Sequence, residues 1–165
     1  MGEIHSAALT EPFGSFSQII ADNAARLGDR IALRDDDVSI TWAELGERVE
    51  RIAARLSADG LERGQSVAIL GYSSVAYALV FLAAVRAGGV AAPLTTSASA
   101  EQLAGMARDS GAAHIFIDRV KREELGADCF GDMSCIVLDE ELERWMAPAG
   151  STAPAFEPRP GDPFN

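Results

Sequence analysis

Apolar positions along this chain recur at helical spacing, then at strand spacing, then at helical spacing again, and that alternation predicts the order of its elements. In residues 15–27, Phe16, Ile19, Ile20, Asn23 and Leu27 share one helical face. Ser15 and Gln18 form a candidate capping box, and Gly28 is the stop. Residues 31–34 and 38–40 flank Asp35, Asp36 and Asp37, which predicts a β-hairpin with half-buried strands. Thr41 and Glu44 then open a second helix as a capping box, a device worth about 1 kcal/mol. Trp42, Leu45, Val49, Ile52, Ala53 and Leu56 form its inner stripe and Gly60 its stop, while Glu44 with Arg48 and Glu47 with Arg51 are outer-face pairs worth roughly 0.2–0.5 kcal/mol each.

The second half repeats the alternation. Residues 66–70 read as a strand covered on both faces, and Tyr72, Ser73 and Ser74 supply a turn and cap. The helix that follows is apolar nearly all round over residues 75–85. It must therefore be enclosed by protein, by the sheet on one side and by something further, such as a partner domain, on the other. Gly88 and Gly89 end it, and residues 90–94 form a strand in which Pro93 marks the end or an edge position. A capping box of Ser99 and Gln102, a helix to Ser110, a strand over 114–118, a short helix over 121–125 and a strand over 135–138 follow. Asp139 caps a last turn or two through Met146. The fold class is α/β: a doubly wound, mostly parallel sheet with helices on both faces and an early antiparallel hairpin at one edge. Residues 1–14 read as a flexible tail, 15–146 as the α/β subdomain, and 147–165, which hold five of the seven prolines, as a linker or an extended arm.

Composition narrows the function classes. A chain of 165 residues with 48% hydrophobic content can bury a core, and no apolar run approaches the roughly 20 residues of a membrane helix. The net charge is −11 and Lys121 is the one lysine, so the overall field opposes phosphate-backbone binding and nucleic acid is not an expected partner. Cys129 and Cys135 fit no paired zinc spacing and read as reduced structural thiols. With no secretory signal, the expected location is cytoplasmic. The start Met1-Gly2-Glu3-Ile4-His5-Ser6 formally fits a myristoylation pattern, one short enough to recur by chance.

Little here points to chemistry. A Walker loop is missing because Lys121 sits in Arg119-Val120-Lys121-Arg122, and Gly88-Gly89 follows a helix, where it serves as a C-cap rather than a dinucleotide fingerprint. Ser73 and Ser74 lie between a strand and a helix, where capping competes with anion binding; Gly71-Tyr72-Ser73-Ser74-Val75 lacks the second glycine of a nucleophile elbow. The candidate bases are His5 in the tail and His114, which reads as a structural strand residue. Asp35, Asp36 and Asp37 offer oxygens to a cation but diverge from a tight turn, so a solvated hairpin tip is the expectation. Glu140, Glu141 and Glu143 suit the first turn of a helix. No catalytic, cofactor-binding or metal-binding residue is assigned.

Four phrases carry a family resemblance: Ile40-Thr41-Trp42-Ala43-Glu44-Leu45, then Gly64-Gln65-Ser66-Val67-Ala68-Ile69-Leu70. The third runs from Phe81-Leu82-Ala83 through Ala87-Gly88 to Pro93-Leu94, and the fourth from Glu101 through Leu103 to Ser110-Gly111-Ala112. In that order and spacing, across about residues 16–118, the chain resembles the N-terminal part of the adenylate-forming (AMP-binding) enzymes: acyl-CoA synthetases, luciferases and peptide-synthetase adenylation domains. Tyr72-Ser73-Ser74 and Thr95-Thr96 stand where many relatives carry asparagine. The resemblance implies an ATP-dependent ligase in fatty acid or aryl acid metabolism that forms an acyl adenylate with release of pyrophosphate. It then passes the acyl group to coenzyme A or a carrier thiol. ATP, Mg²⁺ and coenzyme A are thus implied for a parent protein.

The family's Ser/Thr/Gly-rich phosphate loop and late lysine match no residue here, and the chain reaches Gly161-Asp162-Pro163-Phe164-Asn165 where that loop is due. The expectation is an N-terminal scaffold portion, inactive alone, with the remainder of the parent enzyme as partner and a tendency to self-associate through exposed apolar surface. The competing expectation is a free-standing α/β binding or interaction module complete at residue 165. A small enzyme in its own right is the third, disfavoured because no Cys, His or Ser constellation converges.

Overall fold

A computed structural model describes residues 15–126, 128–159 and 161–165; the tail over 1–14, with His5 and the myristoylation pattern, lies outside them. In chain order the elements are α1 (Phe16–Leu27), β1 (Ile31–Arg34), β2 (Ser39–Thr41), α2 (Trp42–Ala58), β3 (Ser66–Leu70), α3 (Val75–Arg86) and β4 (Val90–Leu94). They continue with α4 (Ala100–Asp109), β5 (His114–Ile117), α5 (Arg119–Leu125), β6 (Ser134–Val137) and α6 (Glu140–Trp145).

Four strands form a parallel sheet in the order β4-β3-β5-β6. The chain winds outward from β3 to β4, crosses back through α4 to β5 on the other side of β3, and continues to β6, which is the doubly wound arrangement. Alternation along the strands divides the core. Val67, Ile69, Phe116 and Ile136 join one cluster with α2, α3 and α6, while Ala68, Leu70, Ile115, Ile117 and Val137 join a second with Leu103 and Ala107 of α4. Helices therefore cover both faces, as the apolar runs of β3 and β5 require.

The capping boxes of Thr41 with Glu44 and of Ser99 with Gln102 are both formed. They set where α2 and α4 start, whereas packing holds them: Leu45, Val49, Ile52 and Leu56 are essentially inaccessible, and burial of each such side chain contributes roughly 1.5–3 kcal/mol.

Several expectations are corrected. The hairpin β1-β2 is a separate two-stranded sheet and not an edge of the parallel one, because Ile40 is drawn into the cluster under α1 and α2. The box at α1 is half-formed: Ser15 accepts from the Gln18 amide, but the Gln18 side chain donates to Asp22 at 2.8 Å. Of the α1 stripe, Ile20 alone is buried, and Phe16 and Ile19 are 46% and 51% exposed. Glu44 turns back to its own cap, so Arg48 pairs with Glu143 at 3.1 Å, whereas Glu47 and Arg51 meet as expected at 3.4 Å. Asp118 is the N-cap of α5 rather than part of β5, so that helix begins at Arg119; β6 starts and ends one residue earlier than the pattern suggests.

Helix α3 is enclosed by this chain itself. None of its residues is exposed: Val75, Leu79, Val80, Ala83 and Ala84 are buried, and α1, α2, β3 and β4 pack around it. Beyond α6 the described residues form no helix or strand, and the segment lies against α2 and α3 through Arg51 and Arg86. Arg86 grips Glu50 with two hydrogen bonds, of 2.6 and 3.1 Å, and donates to the Ala153 and Pro154 carbonyls, while Glu50 accepts from the Ala153 amide at 3.0 Å. One ion pair thus ties two helices to the arm. Further along, Arg63 stacks on Phe156 and pairs with Asp162, and the Ala91 amide of edge strand β4 donates to Phe164.

The clamp yields a stability prediction. Glu50→Ala leaves a mostly shielded guanidinium without its carboxylate and the Ala153 amide without its acceptor, so urea unfolding should show a loss of about 2 kcal/mol. Glu47→Ala, on the solvent side of the same helix, should change stability by no more than about 0.5 kcal/mol.

Candidate functional site

In an open α/β sheet the default ligand position is the crevice beyond the carboxyl ends of the strands, where the winding reverses. Here that crevice lies between the loops that follow β3 and β5. It is closed by a side chain of the protein. Asp118 accepts from the Tyr72 amide at 2.9 Å through Oδ2 and from the Lys121 amide at 2.7 Å through Oδ1, and its own amide donates to the Leu70 carbonyl. Gly71 permits this approach: a Cβ there would stand 3.1 Å from the carboxylate oxygen.

The neighbouring N-terminus of α3 is likewise occupied. Ser74 accepts from the Tyr77 amide at 3.1 Å, which settles Ser74 as the cap and leaves Ser73 exposed beside it. The Val75 amide donates to Asp35 at 2.8 Å, a bond spanning forty positions of sequence. The second oxygen of Asp35 accepts from the Asp37 and Val38 amides at 3.0 and 2.8 Å. Asp35 is therefore a tie between hairpin and helix, which corrects its reading as part of a solvated tip; Asp36 and Asp37 are exposed. The three amide bonds, with Val75 first, hold the Asp35 carboxyl below the usual aspartate range, because they stabilise the charged form.

These residues do not fit a nucleotide's phosphates. The amides that an anion would use already face two fixed carboxylates, and a phosphate would have to displace them against like charge. Among the described residues no three His, Cys, Asp or Glu side chains cluster as metal ligands.

The remaining candidates are scattered. His114 is buried at the amino end of β5, with Nε2 3.3 Å from Asp59 Oδ2 and its ring edge-on to Trp145. Its Nδ1 finds no hydrogen-bond partner among the described residues. Ser73 and Ser74 follow the carboxyl end of the adjacent parallel strand, so the length of a strand, about 13 Å for four residues, separates base from hydroxyl. No triad forms. Gly88, at φ +84°, ends α3 with the Phe156 ring 2.6 Å from where a Cβ would stand, so the glycine pair serves a turn and a close packing contact. Cys129 and Cys135 are free thiols. Glu140, Glu141 and Glu143 do occupy the first turn of α6, capped by Asp139.

A cleft of about 310 Å³ lies at the opposite end of the sheet, near Gly64 and Gly88. Phe16, Val85, Phe156 and Phe164 line it. It is the space beneath the arm, and nothing about its lining aligns it with the winding reversal.

Sequence reasoning missed the carboxylates of Asp118 and Asp35. Asp118 was legible as a cap between a strand and a helix; the reach of Asp35 to Val75 depends on tertiary contact and has no local signal.

Comparison with known proteins gives the family. The sequence model described as AMP-binding enzyme matches residues 20–164. Tyrocidine synthase 2 of Brevibacillus parabrevis is 29% identical over 136 residues, which is 82% of this chain and 4% of that protein. The medium/long-chain-fatty-acid–CoA ligase FadD6 of Mycobacterium tuberculosis is 30% identical over 148 residues, 86% of this chain and 24% of the ligase. The crystal structure of the N-terminal domain of FACL13 from Mycobacterium tuberculosis superposes with a TM-score of 0.73 at 25% identity, covering 91% of this chain and 40% of that one. The chain thus spans a minor part of the relatives it matches.

The Asp35 tie carries a pH dependence. A carboxyl held low in the folded state adds stability that is present above its unfolded value and is lost as pH falls through the folded one. Urea unfolding of Asp35→Ala against the unaltered chain should show a clear deficit at pH 7 that narrows as the pH is lowered below about 4. A deficit independent of pH would exclude the charge-dependent role.

Proposed function

The chain belongs to the AMP-binding enzyme family, and from that premise we propose that it is the N-terminal scaffold portion of an ATP-dependent carboxylate–CoA ligase. The observation that carries the scaffold reading is the closure of the winding reversal by Asp118 and Asp35, which leaves the amides of Tyr72, Val75 and Lys121 already satisfied. What remains for these residues is mechanical. The sheet and α3 form a rigid block, and the clamped arm delivers residues 161–165 alongside β4.

The similarity to FadD6 supports coenzyme A as acceptor; that to tyrocidine synthase 2 supports a second reading, an adenylation domain that loads a carrier thiol. In either, ATP and Mg²⁺ would bind to the remainder of the enzyme, the partner of this unit, and supply adenylation of the carboxylate there. A cytoplasmic location belongs to the same proposal. Among the described residues no helix is long and apolar enough to cross a membrane. Phe16, Ile19 and Phe164 form the exposed apolar patch that would bring self-association, with Phe16 and Phe164 edge-on at 6.0 Å.

Two measurements test this. The purified 165-residue chain should catalyse no acid-dependent ATP–pyrophosphate exchange with fatty, aryl or amino acids, and measurable exchange would overturn the scaffold reading. The reading frame beyond Asn165 should encode a Ser/Thr/Gly-rich loop with a lysine within about a dozen codons, whereas a stop codon there would favour the free-standing module. If the frame continues, thioester formation by the longer product with coenzyme A or with a carrier protein separates the two ligase readings.

A further inference from the structure

The cleft beneath the arm, about 310 Å³, exceeds the roughly 150 Å³ that suffices to hold benzene, and the scaffold reading makes no use of it. Its walls are aromatic. Phe16 at the start of α1 and Phe164 in the arm line it with ring centres 6.0 Å apart, edge to face, and Phe156 and Val85 line it as well. Phe16 and Phe164 are each about half exposed, so ring surface is uncovered at an opening that water can enter. The mouth carries charge. Arg63, Arg159 and Asp162 stand there, and the Asp162 carboxylate is already committed: it accepts from the Arg159 amide at 2.7 Å and pairs with Arg63, whose guanidinium lies 4.8 Å from the centre of the Phe156 ring. The Arg159 amide first, and then the charges of Arg63 and Arg159, hold the Asp162 carboxyl below the usual aspartate range, so it stays ionised. The Arg159 side chain is exposed and has no ion pair or hydrogen bond among the described residues. Two guanidiniums against one carboxylate leave the mouth positive, in a chain whose net charge is −11.

We propose that this cleft binds a small aromatic monoanion, a ring system bearing one carboxylate or sulfonate, with its rings among Phe16, Phe156 and Phe164 and its anionic group at Arg159. Aromatic rings favour edge and offset contacts of the kind Phe16 and Phe164 already make with each other, so a flat ligand adds to an existing pattern. The charge at the mouth selects among such ligands. An organic cation meets two guanidiniums, and a polyanion such as a nucleotide sets further negative charge against Asp162; one negative charge matches the one guanidinium left without a partner group. The ligand touches α1, the end of α3 and the arm together, so its occupancy fastens the arm to the helices. The site lies at the other end of the sheet from Asp35 and Asp118, and it stands whether the chain is a scaffold or a free-standing module.

The test is fluorescence titration of the native chain with anilinonaphthalenesulfonate, an aromatic monoanion, and in parallel with phenylnaphthylamine, the same rings without the sulfonate. One sulfonate dye should bind per chain, about fivefold more tightly than the neutral dye at low salt, and the gap should close at about 1 M salt. Arg159→Gln should close the same gap while leaving affinity for the neutral dye unchanged. Ser17→Trp, which sets an indole into the cleft wall from a partly exposed helix position, should abolish binding of both dyes, with circular dichroism showing that the fold is kept. The unfolding midpoint of the unaltered chain should rise with the concentration of the sulfonate dye. Uptake of several dyes per chain, equal affinity for the two dyes, or binding indifferent to Ser17→Trp would overturn the proposal. So would binding that weakens as the protein concentration is raised, because a second copy of the chain would then be what covers the cleft.

Discussion

Helix α3 imposes the constraint on which the rest of this fold depends. It has no polar face, so each side of it must meet protein. The sheet covers one side through Val67, Ile69 and Ala91, and α2 covers another through Val49, Ile52 and Ala53. This explains why α2 carries a strict inner stripe with charges outside it. It also explains why α1, third in line for the same surface, buries Ile20 and leaves Phe16 and Ile19 in solvent. With the demand of α3 met by α2 and the sheet, less apolar surface remains for α1 to cover.

The arm fills the last gap around α3, and polar bonds hold it there. Arg86, at the end of α3, would be a charge at the margin of an apolar cluster. Glu50 neutralises it, and the backbone of residues 153 and 154 supplies further hydrogen-bond partners to both side chains. A segment rich in proline cannot add a helix or an interior strand, because it lacks the amides to do so. It can follow a fixed path if side chains elsewhere grip its carbonyls. Arg51 on Ala147 and Arg86 on Ala153 and Pro154 do this.

The legible parts of this structure are those governed by sequence-local physics. Capping boxes at Thr41 and Ser99, the stops at Gly60 and Gly88, and the apolar runs of β3 and β5 depend on neighbours within about five positions, and each stands where its pattern predicts. The parts that were not legible depend on partners far along the chain. Helical spacing reports that Phe16, Ile19 and Ile20 share a face but not how much of it will find cover. Likewise Asp35-Asp36-Asp37 identifies a turn, while only the packed structure brings the Val75 amide to one of the three carboxylates. The Glu44–Arg48 pair fails for a related reason: Glu44 has two possible partners at helical reach, and its own cap takes it.

The two carboxylates at the carboxyl ends of the strands give this unit its character. Amides at a helix N-terminus are donors in need of acceptors, and a fold can satisfy them from within or leave them for an anion. Asp35 and Asp118 satisfy them from within, and each also joins elements that the chain does not connect directly: hairpin to α3, and the loop after β3 to the start of α5. The same bonds that stiffen this end of the sheet make it hostile to phosphate, since two negative charges are already fixed there in a chain of net charge −11. Rigidity and nucleotide affinity are thus alternatives at this position, and this sequence takes rigidity.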